Sequence, residues 1–195
     1  MPDNERFSHA IQQFDALNAD DPNKVTWDDT LYAKELLYAQ RMTQCLTDFD
    51  PNASEALQLA VRAQHIGRWK IPRSDYAMDR KGYLVWRNQL KSMHAEIAGD
   101  ILSKVGYDSE TISTVQSLIQ KKQLKQNPDT QTLEDVICLV FMQYYLEEFA
   151  QKKSEEKVID ILQKTWRKMS ERGQAKALSL PLGDTSKAQL QKALS

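Results

Sequence analysis

The chain has 195 residues, 41% hydrophobic and 27% charged, with a formal net charge of −1, the bulk of one ordinary soluble domain able to bury a sizeable core. A pI of about 6.3 argues against a general polyanion binder, which carries a net positive charge. The first thirty residues are polar and acidic, and no stretch approaches the length of a membrane span, so a cytoplasmic address without a membrane partner is expected.

Six Gly and six Pro are few, and no region carries the strict alternation or Asn-Gly turns that announce hairpins, so the expected class is all-α, a single compact helical bundle over 1–195. A first helix is predicted from Glu5 to Asn18 on Phe7, Ile11, Phe14 and Leu17, before the break at Asp21-Pro22. A second should run from Tyr32 to Thr47, with Leu36, Leu37, Met42 and Leu46 on its apolar face and Asp50-Pro51 as its stop. Asn52 or Ser54 then caps a third through Leu57, Leu59 and Ala63 toward Ile66.

Gly67, Pro72 and Gly82 bracket a basic, aromatic connection over 67–82, long for a structureless loop and therefore a candidate for function. Helix resumes near Tyr83, with Leu90, Met93, Ile97 and Ile101 buried and Gly106 as its C-terminal cap. Another follows from Ser109 to Lys122, where Lys121, Lys122 and Lys125 read as a solvated helix end. Next comes the strongest core signal, Val136–Met142 (VICLVFM), in a helix beginning near Thr132. Val158, Ile161, Leu162, Trp166 and Met169 define a further helix, and a short amphipathic tail occupies 181–195. Cys45 and Cys138 lie in apolar helical patterns and read as free thiols.

Against this scaffold the window 62–91 stands out, with eight Lys and Arg against two Asp in a nearly neutral chain. Its cations lie among His65, Trp69, Tyr76, Tyr83 and Trp86, a mixture suited to phosphate esters and to stacking on bases or sugars. Arg62, Gln64, Arg68, Trp69, Arg73, Tyr83, Trp86 and Arg87 are therefore the candidate ligand-binding residues. The bland alternative packs the aromatics against the bundle and pairs the arginines with carboxylates at the edge of the core. Of the three histidines, His9 sits on an exposed helix, whereas His65 and His94 can face the interior. Glu134 and Asp135 open the most apolar helix, so at least one carboxylate points into low-dielectric surroundings and needs a donor. Gly-rich phosphate loops, CxxC, HExxH and GxSxG are all absent.

The order of Glu35, a helix-ending His65 in AVRAQHIGR, His94, and Asp135 in LEDVICL resembles the HD-domain metal phosphohydrolases. Those domains are all-helical and bind a divalent metal through His and Asp side chains from different helices. The resemblance implies an HD-like fold and a divalent metal of unknown identity held by Glu35, His65, His94 and Asp135. Glu96 or Glu134 would be the catalytic proton acceptor, and a small phosphorylated ligand, most naturally a nucleotide, the substrate. The Asp that directly follows the His in those domains is Ile66 here, and Glu35 or Gln40 stands where they have their first His.

A wider similarity runs through ELLYAQRM at 35–42, RAQHIGRWKIPR at 62–73, GYLVWR at 82–87, HAE at 94–96, LEDVICLVF at 133–141 and KTWRKMS at 164–170. On these the chain is identified as a member of an uncharacterised bacterial and fungal family, domain of unknown function 4202, which implies no activity. Two further readings stand beside the hydrolase. One is a non-catalytic module binding a nucleotide or RNA through 62–91; the other is a helical interaction protein using Trp69, Tyr83 and Trp86 as anchors.

Overall fold

The computed structural model describes residues 2–124 and 126–195, so Lys125 lies outside the described residues. Helix dominates, and the chain gathers into two compact units, Met1–Lys122 and Gln123–Ser195, where the sequence reading takes 1–195 as one domain.

The first unit begins with α1 (Pro2–Ala19), whose Ala10 and Phe14 are fully buried. A hairpin follows, β1 (Lys24–Trp27) antiparallel to β2 (Thr30–Ala33), pairing Lys24 with Ala33 and Trp27 with Thr30. This corrects the expectation that no hairpin is present. Its turn residues, Asp28 and Asp29, have φ of 49° and 57°, the doubly left-handed backbone that Asn-Gly usually supplies and Asp tolerates through its short polar side chain. The hairpin also moves the start of α2 (Lys34–Phe49) two residues beyond the expected Tyr32.

Ser54 caps α3 (Glu55–Arg62) by accepting from the backbone N–H of Leu57. Two short 3-10 turns, Arg68–Lys70 and Arg73–Asp75, replace the structureless loop and lead into α4 (Arg80–Val105). Along α4, Gly82, Trp86, Leu90, His94, Ala98 and Leu102 are buried at four-residue steps, one continuous inward stripe. Gly82 has to be glycine, because a Cβ there would meet the Ala77 carbonyl oxygen at 2.1 Å where the loop crosses the helix. Gly106, with φ 93°, closes α4 as expected, and α5 (Ser109–Ile119) follows its Asp108 cap.

In the second unit the apolar run lies within α6 (Pro128–Tyr144). Val136, Leu139 and Val140 are fully buried while Ile137 and Phe141 keep one partly exposed edge. Phe141 meets Phe149 of the short α7 (Leu146–Gln151) edge to face. The remaining helices are α8 (Glu155–Trp166), α9 (Glu171–Leu178) and α10 (Asp184–Leu194), the last being the expected tail. The short α7 and α9 are additions to the expected set. Cys45, half-buried, and Cys138, buried, are not joined in a disulfide.

Candidate functional site

Asp21, fully buried, is the anchor from which the cluster is built. Its Oδ1 accepts from the backbone and side-chain N–H groups of Asn23, and its Oδ2 accepts from the backbone N–H of Glu35 at 3.0 Å. Ala33, at the start of α2, has no side chain to cap the helix. Asp21 therefore supplies an acceptor from before the hairpin and fixes Glu35 in the first turn of α2.

Glu35 is 6% exposed. Its Oε2 lies 3.3 Å from His65 Nδ1, and its Oε1 lies 3.8 Å from Arg68 Nε, across the junction between α3 and the first 3-10 turn. Tyr38, one helical turn after Glu35, stacks on the His65 ring at 4.1 Å and 12°. The His65 and His94 rings are 5.9 Å apart. His94 Nδ1 is 2.7 Å from the Ile66 carbonyl oxygen. A carbonyl only accepts, so Nδ1 carries the proton and Nε2 presents a lone pair. That Nε2 is buried without a hydrogen-bond partner among the described residues, as is Gln64 Oε1.

Burial governs the protonation states. It raises Glu35 to about 7, against the pull of Arg68 and Lys34 toward ionisation. It lowers His65 well below the usual imidazole range, assisted by Arg68 and Arg87, and lowers His94 to about 3, assisted by His65. At neutral pH both imidazoles are uncharged and Glu35 is close to half ionised. Arg68 lies over the Trp86 ring at 4.8 Å, and Trp86 Nε1 donates to the Ile71 carbonyl at 2.9 Å. Arg87, half-buried, adds positive charge beside His65 and Arg68 and pairs with no carboxylate among the described residues.

Of the residues singled out from the sequence, Glu35, His65, His94, Arg68, Trp86 and Arg87 come together here. Tyr83 is exposed at the edge, its ring 5.9 Å from that of Trp86. Trp69 is half-buried in the first 3-10 turn. Arg62 is committed elsewhere, because Nε and Nη2 donate to both oxygens of Asp15 at 2.7 and 2.6 Å and Nη1 donates to Thr43. It ties α3 to α1 and α2. Arg73 donates to the carbonyls of Tyr76 and Ala77 and so closes its own loop. Glu96 is exposed in a polar groove between α4 and α5, among Ser92, Asp100, Ser113 and Gln116.

Glu134 and Asp135 belong to the second unit. Glu134 is buried with Lys168 Nζ at 3.8 Å. Asp135 accepts from Ser170 N at 2.8 Å, Ser170 Oγ at 2.5 Å and Gln131 Nε2 at 3.1 Å. These oxygens hold the start of α9, whose Ser170 cap in turn accepts from Gly173 N.

A family model described as a domain of unknown function, DUF4202, matches residues 8–190. The chain belongs to this family. The DUF4202 match takes in both units, so the Glu35 cluster and the Asp135 network both lie inside the family region. No curated protein and no solved structure matches the chain.

The divalent metal implied by the HD resemblance has to be tested against these donors. His94 has Nδ1 engaged and Nε2 open, the tautomer of a metal-bound histidine. Among the described residues, however, no three His, Cys, Asp or Glu are arranged to hold a metal ion, and a metal centre takes three or four protein ligands. Glu35 is turned to His65 Nδ1, and both Asp135 oxygens are spent on α9. The donor set does not fit. Sequence reasoning missed Asp21 and Tyr38. Tyr38 was within reach of it, lying one turn from Glu35 on the same face of a predicted helix.

Proposed function

We propose that the first unit binds a compact phosphorylated ligand, most naturally a nucleotide, and hydrolyses its phosphate ester. The observation that carries this is the charge balance at Glu35. Arg68 and Arg87 stand beside two neutral imidazoles and a carboxyl pushed up to about 7. Positive charge is in surplus there, and Arg87 has no carboxylate partner among the described residues. Paired guanidiniums are the usual device for a phosphate, and the HD-like order of residues points to the same substrate class.

The chemistry follows from His65. Its Nδ1 stands 3.3 Å from Glu35 Oε2, on a side chain 20% exposed; with the proton on Nδ1, toward Glu35, Nε2 is left as the base. A water attacking phosphorus gives its proton to Nε2, and Glu35 stabilises the resulting imidazolium. The P–O ester bond then breaks and the departing oxygen takes the proton back, while Arg68 and Arg87 hold the phosphoryl charge.

Adenosine 5′-monophosphate is the probe. Calorimetry should show binding that weakens about 10- to 100-fold in Arg87→Ala, the worth of one or two charge-assisted hydrogen bonds. Phosphate release should disappear in His65→Ala. A folded protein that neither binds nor cleaves the nucleotide sinks the reading. Near-stoichiometric metal in the purified protein, lost in both His65→Ala and His94→Ala, would replace the side-chain chemistry with the metal route. RNA binding is disfavoured because Arg73 spends its charge within the loop and the chain carries a net negative charge.

A further inference from the structure

His94 poses a problem that phosphate alone does not solve. The side chain is 2% exposed and its protonated Nδ1 is satisfied by Ile66, yet the Nε2 lone pair meets no donor among the described residues. An unmet buried acceptor is costly. Gln64, 4% exposed and next to His65 in sequence, likewise leaves Oε1 unmet. Arg68 and Arg87 answer the charge of a phosphate, but a phosphate ester dianion only accepts hydrogen bonds. Two acceptors cannot satisfy each other.

We infer that the ligand carries a hydroxyl beside its phosphate and sets it against His94 Nε2, which makes the ligand class a hydroxylated phosphate ester such as a sugar phosphate. This rests on the phosphorylated-ligand reading and narrows it. His65 and Arg68, 20% and 23% exposed, form the solvent-facing edge of the cluster, and the more deeply buried His94 has its ring 5.9 Å from that of His65. The anion is met at this edge and the hydroxyl at the more buried ring. His94 is here a specificity residue with a fixed tautomer, because the Ile66 carbonyl holds the proton on Nδ1.

Two probes separate the claims at pH 7: ribose 5-phosphate, and tetrahydrofurfuryl phosphate, which has the same ring and phosphate without hydroxyls. Wild type should bind ribose 5-phosphate at least about tenfold more tightly, the worth of one buried hydrogen bond that is otherwise unmet. His94→Phe should bind the two alike. Nitrogen NMR of histidine-labelled wild type, which does not depend on the variant folding, should move the His94 Nε2 resonance with ribose 5-phosphate and leave it in place with the analogue. Equal affinities and an unmoved resonance would overturn the inference while leaving phosphate binding intact, and would assign Nε2 to a buried water. Failure of both esters to bind would overturn the phosphorylated-ligand reading and this inference with it.

Discussion

Glu35 in the first unit and Asp135 in the second are both buried helical carboxylates, one in the first turn of α2 and the other midway along α6, 6% and 2% exposed. Their surroundings differ in completeness. Asp135 accepts a backbone N–H, a hydroxyl and an amide, all within 3.1 Å. Among the described residues Glu35 meets only the longer approaches of His65 at 3.3 Å and Arg68 at 3.8 Å, and burial pushes it up to about 7. A carboxylate whose lone pairs are filled by fixed donors has a structural task. One that is buried and under-supplied stands near its own titration point, ready to answer a charge that forms beside it.

The largest expected effect follows from removing the settled group. Asp135→Ala strands the N–H and O–H of Ser170 at the start of α9 and should cost about 3 kcal/mol, since each unmet buried donor costs ~1–3 kcal/mol. Hydrogen exchange should show lost protection at Ser170–Gln174, and unchanged protection there would put the anchoring role elsewhere. Gly173→Ala is a second way to break the same network, because its Cβ would meet Asp135 Oδ1 at 2.6 Å.

The next effect is a pH dependence in which the buried groups of the first unit oppose one another. His94 is held at about 3, below its ordinary 6.5. Its contribution to stability is present above pH 6.5 and is lost as pH falls toward 3. Glu35 is held at about 7, above its ordinary 4.5, so its contribution is present below pH 4.5 and is lost as pH rises through 7. Between pH 5 and 7 each is worth about 2 kcal/mol by linkage, with opposite sign. His65, also lowered, adds to the His94 side. Stability of the wild type should therefore rise gently from pH 5 to 7 in urea titrations. Glu35→Gln should make that rise steeper, whereas His94→Phe should flatten or reverse it. Parallel curves for all three proteins would mean that these groups are not buried as described.

The same contrast marks how far the sequence could be read. Helix positions were legible because apolar residues recur at three- and four-residue steps, and His94 falls on the same four-residue stripe as Trp86 and Leu90. The hairpin was not legible, because Asp28-Asp29 takes a backbone ordinarily announced by Asn-Gly. Glu35, His65 and Arg68 were each recognisable as chemistry-bearing residues in isolation. That they meet depends on Asp21 reaching past the hairpin to Glu35, a contact without local periodicity. Asp135 shows why a site residue is hard to read from sequence. Its sequence signal, a carboxylate opening an apolar helix, is the same for a metal ligand and for an anchor, and only the donors at Ser170 distinguish them. Arg62 joined the candidate ligand residues because its partner Asp15 lies 47 residues away.

The smallest stability change is the sharpest test of the comparison. Glu35→Gln keeps the size of the side chain and, at pH 7, removes a carboxylate that is already close to half protonated. Stability should change by less than about 1 kcal/mol, in the stabilising direction, because the amide carries no charge to desolvate. Nucleotide affinity should hold or tighten, since a negative charge beside Arg68 is gone, while phosphate release falls at least about 100-fold for want of the group that stabilises the His65 imidazolium. Asp135→Asn, an equally conservative exchange, should do the reverse, lowering stability by about 1–3 kcal/mol through one mismatched donor and leaving turnover per folded molecule unchanged. If Glu35→Gln loses stability and turnover together, Glu35 is a second anchor of the Asp135 kind and its role in stabilising the His65 imidazolium falls. If it loses turnover alone, the under-supplied carboxylate is the working one.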